Sequence, residues 1–265
     1  IWNYTRMLNR KKFSCSTCSC LHFISNEYDS MLITYFSDFF QETFWYWNKT
    51  LIYQLFYSLL YFSLFFIGYF YLFKYFGLWD EFSKYSDLVR TDLPAFNKKM
   101  EEIARLPQAR NFSLAFFFLL ALINPLNVGL YKIFRKIDLK EPISTNDLFA
   151  GYLGFDFFKF FGFYLFWIII FTYANAFLLL GIFWLLITLF SIPLMFFMDV
   201  KTFEGIGLTI KALKKNFGMI AIGCVVALIF GLSGLLLFGI GFLLTFPFWN
   251  AMVYALYQHI YKEIG

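Results

Sequence analysis

From Leu51 onward the chain alternates long uncharged apolar runs with short charged stretches. Leu51 to Phe73 carries no Asp, Glu, Lys or Arg over 23 residues. At ~1.5 Å per residue such a run crosses the ~30 Å hydrocarbon layer of a bilayer. Leu114 to Phe134 returns, with Asn124, Pro125 and Asn127 midway and Arg135, Lys136 and Lys140 close behind. Phe160 to Met198 holds 39 uncharged residues, which suits two spans turning near Ala174 to Gly181. Asn216 to Tyr261 is again uncharged, with Gly239 and Gly241 where the chain would double back. Six spans result, at about 51–73, 114–134, 159–177, 179–198, 217–238 and 240–261.

Each pair of spans is preceded by a stretch with helical amphipathic spacing. In Met31 to Lys49 the residues Phe36, Phe39, Phe40, Phe44 and Trp47 fall on one helix face, with Trp45 and Trp47 at headgroup level. Ser144 and Asp147 have the S-x-x-D form of a helix start, and a second interfacial helix is expected from there to about Phe158. Thr202 to Lys215 is short, basic and amphipathic. The predicted fold is an all-α membrane protein: six transmembrane helices as three hairpins, each preceded by an interfacial amphipathic helix. Every return span carries a helix-breaking proline, at Pro125, Pro193 and Pro247, spaced by 68 and 54 residues. The enlarged first interval reflects the extramembrane amphipathic segment 80–111, punctuated by Pro94 and Pro107.

Composition sharpens this. The chain is 60% hydrophobic and 15% charged, against roughly 45–50% and about 25% in soluble domains. Its formal charge is +5, spread between apolar runs, which argues against nucleic acid as a partner. One side of the six-span plan carries Lys49, five basic residues from Lys132 to Lys159, four from Lys201 to Lys215, and Lys262. Two of the opposite loops carry none; the third, Lys74 to Arg110, carries seven among acids and is too long to count strongly. Both termini are therefore expected in the cytoplasm. Residues 1–30 lack the apolar periodicity of the rest and are expected to be a disordered tail or an upstream extension, leaving 31–265 as one membrane domain.

Candidate chemistry is sparse. Cys15, Cys18, Cys20 and His22 lie too close together to wrap readily around one zinc ion, so no metal site is expected. No nucleophile–base pair, phosphate-cradling loop or metalloprotease motif occurs, no cofactor is implied, and an enzyme is not expected. No acidic or basic residue lies at depth, which disfavours an ion-coupled path. Polar residues at depth include Asn124, Asn127, Asn175 and Asn250. They either bond to carbonyls freed by the prolines or line a polar groove. Gly223, Ala227 and Gly231 form a small-residue stripe that Ala251 and Ala255 would face, a helix-packing device.

Several of these features carry a family resemblance. Asp199, Lys211-Ala212-Leu213-Lys214-Lys215-Asn216, Gly239-Ile240-Gly241, Thr245-Phe246-Pro247, the aromatic end from Tyr254 to Tyr261, and Asp147-Leu148-Phe149 are the residues concerned. From about Leu114 to Ile264 the chain resembles a group of bacterial six-helix integral membrane proteins of unknown function. It is similar there to the membrane domain attached to some glycerophosphodiester phosphodiesterases. The resemblance implies a bacterial inner-membrane protein without catalytic residues of its own.

Two functional expectations result. The leading one is a non-enzymatic membrane scaffold or accessory subunit, with membrane lipids, other membrane proteins or further copies of itself as partners. The second is a transporter or lipid-handling protein with a groove opened by the proline breaks. They separate on whether the bundle holds a continuous cavity lined by Asn124, Asn127, Asn175 and Asn250.

Overall fold

The computed structural model describes residues 37–236 and 239–261. The N-terminal stretch with Cys15, Cys18, Cys20 and His22 lies outside the described residues, as does Lys262. The chain divides into two compact units, Ile1–Gln41 and Glu42–Gly265. Of the first, only the opening turn of helix α1 (37–49) is described. The six spans belong to the second.

Helix α2 (Leu51–Tyr75) is the first span. Three short helices come next: α3 (Leu78–Ser83), α4 (Leu88–Thr91) and α5 (Leu93–Ala104). The second span is α6 (Pro107–Ile123) and α7 (Leu126–Asp138). A 3₁₀ helix, Thr145–Tyr152, leads to α8 (Asp156–Ala174), the third span. The fourth is α9 (Leu178–Thr188) with α10 (Ser191–Phe197). The fifth is α11 (Thr202–Ser233), and the sixth is α12 (Ile240–Thr245) with α13 (Phe248–Tyr261). No strand occurs among the described residues, and six helical segments are long and apolar enough to cross a membrane. This is an all-α polytopic membrane protein. Large apolar side chains such as Ile52, Ile67, Leu179 and Leu236 stand exposed on the outside of the helices, as a lipid-facing surface requires.

The spans close into a ring. Helix α2 packs on α6, α6 on α8, α8 on α9, α9 on α11, α11 on α12 and α13, and α12 returns to α2. All three return spans are broken. The second interrupts at Asn124–Pro125, the fourth at Leu189–Phe190 just before Pro193, and the sixth at Phe246–Pro247. A proline ring cannot donate the helical N–H bond and crowds the preceding turn. The half-helices after the breaks meet at the end of the ring that bears the basic loops: α7 packs against both α10 and α13.

The break at Pro125 is strapped by the 3₁₀ helix. Ser144 and Asp147 form the expected capping box. Asp147, buried, also accepts from Lys132 (3.1 Å) and Lys136 (2.9 Å), one turn apart on α7. At the other end of the strap the Tyr152 hydroxyl donates to the carbonyls of Leu122 (2.7 Å) and Ile123 (3.1 Å). The Ile123 carbonyl loses its helical donor because the Asn127 N–H turns back to Asn124 O (2.9 Å), and unpaired backbone groups inside a bilayer are costly. The strap lies so close that a Cβ on Gly129 would stand 2.1 Å from Leu148 O, and one on Gly151 2.4 Å from Pro125 O. The second pre-span element is therefore a tight 3₁₀ strap from Thr145 to Tyr152, not an amphipathic α-helix reaching Phe158. Gly154, with φ 58°, then turns the chain into α8.

The Asp147 bonds predict an acid response. Burial pushes its carboxyl up, but the bonds from Lys136, the Ser144 N–H and Lys132 outweigh this and hold it below its ordinary 3.8. A carboxyl held low stabilises the folded state above its ordinary value, and that contribution is lost as pH falls through the lower folded value. Asp147→Asn is expected to lower the thermal midpoint in detergent at pH 7. The gap to the parent protein should narrow steadily below about pH 4; a pH-independent gap would contradict this.

The third basic amphipathic piece and its span form one helix, α11, with a non-helical kink at Asn216 (φ −127°, ψ 32°). The kink at Asn216 divides the basic arm from the membrane segment. The second span begins earlier than its charges suggest, at Pro107, so that Arg110 and Asn111 are already helical. The 80–111 segment packs over that end through ring contacts of Phe82 with Phe73 and Phe96. Gly239 makes the last hairpin turn with φ 78°.

At the basic end, residues 42–49 of α1 are tied to the ring. The Tyr46 hydroxyl donates to Asp138 Oδ1 (2.7 Å), while Tyr254 (2.5 Å) and Gln258 (3.2 Å) donate to Oδ2. Burial, and then the bond to Asp138, raise the Tyr46 phenol well above its ordinary range. Trp47 Nε1 donates to Leu244 O (2.9 Å), and His259 Nε2 lies 2.9 Å from Glu42.

Candidate functional site

The ring is hollow. A cavity of about 490 Å³ sits among all six spans, within the ~300–1,000 Å³ of typical ligand pockets. Its floor is built from the helix breaks. Asn124 and Asn127 come from the break in the second span, Thr188 from the end of α9, and Trp249 and Asn250 from the first turn of α13. Lys132, the first charged residue past the floor on α7, is five residues beyond Asn127, about 8 Å along a helix axis. The floor is therefore inside the apolar zone and near its basic boundary.

Most of the floor's polar groups already have partners. Asn124 Nδ2 donates to Leu120 O (2.9 Å) and Asn127 Nδ2 to Asn124 O (3.0 Å). Tyr57 donates to Asn127 Oδ1 (2.7 Å) and Tyr61 to Asn124 Oδ1 (3.3 Å). Trp167 Nε1 donates to Thr188 Oγ1 (2.8 Å), which donates on to Trp184 O (2.7 Å). Asn124 and Asn127 line the cavity, and their amides bond to carbonyls that already accept a backbone N–H rather than to one freed by Pro125.

Two groups differ. Asn250 is 7% exposed and Tyr131 4% exposed. Both line the cavity, and neither side chain has a hydrogen-bond partner among the described residues. Their polar atoms are not sealed in the packing, as Gln54 Oε1, Ser58 Oγ and Ser191 Oγ are, but stand open to the cavity. Both face the same empty volume.

The walls are aromatic: Tyr57, Tyr61, Phe163, Trp167, Phe242 and Phe246. Among the described residues no Asp, Glu, Lys, Arg or His lines the cavity. It reaches Leu228 and Leu232, which are 53% and 57% exposed on the lipid-facing side of α11. The mouth consequently opens sideways onto hydrocarbon. A second, shallower depression runs along Lys159, Asp199 and Lys201. Its Lys159 is already held by Asp199 (2.5 Å) and by Met195 O (2.7 Å), which closes the base of the third and fourth spans.

Of the four asparagines read as groove candidates, Asn124, Asn127 and Asn250 meet in the cavity. Asn175 does not: it lies after α8 at the turn to α9, exposed, in the place a Cβ on Gly181 would occupy. Depth along a run cannot separate a mid-span residue from one at a turn when neither is flanked by charge. Gly223, Ala227, Ala251 and Ala255 are buried in the packed pair α11 and α13. Ala227 and Gly231 also line the cavity. The closest approach of the last hairpin lies further on, where a Cβ on Gly234 would stand 2.6 Å from the Gly241 backbone. Pro125 and Pro247 sit in their breaks and Pro193 just after one. The tyrosines and tryptophans of the cavity carry no sequence signal of their own, being spaced like the phenylalanines around them. Among the described residues no group of His, Cys, Asp and Glu is arranged to hold a metal. No family model, curated protein or solved structure matches the chain.

Proposed function

We propose that this polytopic membrane protein handles lipid: it takes a membrane-derived amphiphile into the central cavity through the mouth beside Leu228 and Leu232. The single observation that carries this is an aromatic-walled cavity inside the ring, with unpartnered Asn250 and Tyr131 at its floor and the exposed Leu228 and Leu232 at its edge. Polar groups that open onto a cavity at a helix break, as Asn250 and Tyr131 do, are placed to meet a bound head group. Broken helices whose ends line a mid-bundle site are how many transporters bind cargo.

In this reading the protein is not an enzyme and needs no cofactor. Its basic loops and both termini face the cytoplasm of a bacterial inner membrane, as the bias of Lys and Arg supports. The resemblance to bacterial six-helix membrane proteins agrees with that setting. The scaffold or accessory-subunit reading retains one specific support, the broad apolar outer surface, which another membrane protein or a second copy would cover.

Lipid retention separates the two. Protein washed extensively in a mild detergent is expected to keep a bound lipid, seen by native mass spectrometry as a defined adduct. Gly231→Phe, at a lining position where a Cβ meets only Thr245 O at 3.9 Å, should fill the cavity and abolish that adduct while the thermal midpoint moves little. A parent protein that carries no adduct, or equal adducts on parent and variant, would support the scaffold instead.

A further inference from the structure

Resting on the lipid-handling reading and deepening it, we infer that the cavity takes an uncharged amphiphile whose head carries acceptor oxygens, a carbonyl or ester group rather than a phosphate. The open valences point this way. The Asn250 amide and the Tyr131 hydroxyl both offer donors to the cavity, and neither has a partner among the described residues. An acceptor oxygen seated between them would satisfy what the fold leaves unmade.

Charge points the same way. Among the described residues a phosphate drawn into this cavity would meet no Lys, Arg or His, and burying an unpaired charge is far more costly than burying a carbonyl. The floor is nonetheless mildly electropositive. Helices α7 and α13, of 13 and 14 residues, both begin there, and the first turn of a helix carries a partial positive charge. That field complements the dipole of a carbonyl without neutralising a full anion. The aromatic rings above the floor suit the apolar body of such a molecule. Its tail, too long for about 490 Å³, leaves past Leu228 and Leu232 into the bilayer.

Both a diacylglycerol and an isoprenoid quinone present this chemistry, and one experiment covers both. Trp167 and Trp249 line the cavity and report on its contents by fluorescence. The full chain is placed in phosphatidylcholine nanodiscs doped with diacylglycerol bearing brominated acyl chains, with decylubiquinone, or with phosphatidic acid bearing the same brominated chains. At equal mole fraction at least one neutral lipid is expected to quench more than phosphatidic acid, and the one that does identifies the source. The excess should vanish in the Trp167→Phe/Trp249→Phe protein. Asn250→Leu, similar in size, should weaken neutral-lipid quenching roughly tenfold, as for one lost buried hydrogen bond. Phosphatidic acid quenching as strongly as the neutral lipids would overturn the uncharged class and leave lipid handling standing. Quenching by none of the three beyond brominated phosphatidylcholine would overturn both. An unchanged response in a well-folded Asn250→Leu protein would remove Asn250 from recognition.

Discussion

Leucine in place of Gly129 will prevent the protein from forming a stable particle in detergent. A Cβ there would stand 2.1 Å from Leu148 O and 2.4 Å from Leu148 C and Cα. These are backbone atoms, so no rotamer change relieves the overlap. The strap and α7 must part, although the strap is held to α7 at one end and to the last turn of α6 at the other. Parting them breaks the Lys132 and Lys136 bonds to Asp147 and the Tyr152 bonds to the carbonyls of Leu122 and Ile123. Overpacking alone costs about 1–3 kcal/mol and occasionally more; with the strap's bonds lost as well, the upper end is expected. Gly129→Ala should show the same effect in weaker form. Gly207→Ala is the control, since a Cβ there meets nothing within 4 Å, and alanine gains up to about 1 kcal/mol over glycine in a helix. Fluorescence-detected gel filtration and the thermal midpoint measure all three. A monodisperse Gly129→Leu protein melting with the parent would refute the close approach of strap and helix.

Asp138→Leu is expected to cost about 2–4 kcal/mol, because it strips the acceptor from two buried phenols. Tyr46 and Tyr254 converge on this one carboxylate, with Gln258 beside them. Tyr254 is fully buried, so water cannot replace the lost acceptor. Gln258 Nε2 lies 2.6 Å from the Tyr254 hydroxyl as a donor, and so does not relieve the phenol's own proton. Asp138→Asn keeps one acceptor oxygen and should fall between parent and leucine variant. That ordering, read as thermal midpoints in detergent, distinguishes loss of an acceptor from mere loss of charge. Equal midpoints for parent and leucine variant would mean that α1, α7 and α13 are not held together here.

The membrane architecture was legible because a bilayer imposes length. Charge-free runs bounded by Lys49, Lys74, Lys132 and Asp199 mark the spans, and Pro125 and Pro247 mark breaks by their missing N–H. The capping box at Ser144 and Asp147 is a local pattern, and it forms. The residues just after it, Leu148 to Tyr152, are shaped by distant partners instead. The strap is 3₁₀ rather than α because Gly129 and Gly151 let it lie against α7 and Pro125, a tertiary fit with no periodic signature. The cavity was half legible. Asn124, Asn127 and Asn250 stand out as polar residues in apolar runs, yet so does Asn175, and only the packing order sends it to a turn. Tyr131 was illegible, because its significance is a hydrogen bond that it lacks. The ring closure that hollows the bundle, α12 returning to α2, joins segments about 180 residues apart and leaves no trace in either.

An experimental density map of the protein in lipid nanodiscs tests the central claim most directly. Elongated, non-protein density is expected to run from Asn250 and Tyr131 between the aromatic walls and out beside Leu228 and Leu232 to the surrounding lipid. Side chains closing over the floor, with α9 and α11 in contact across a filled centre, would contradict it.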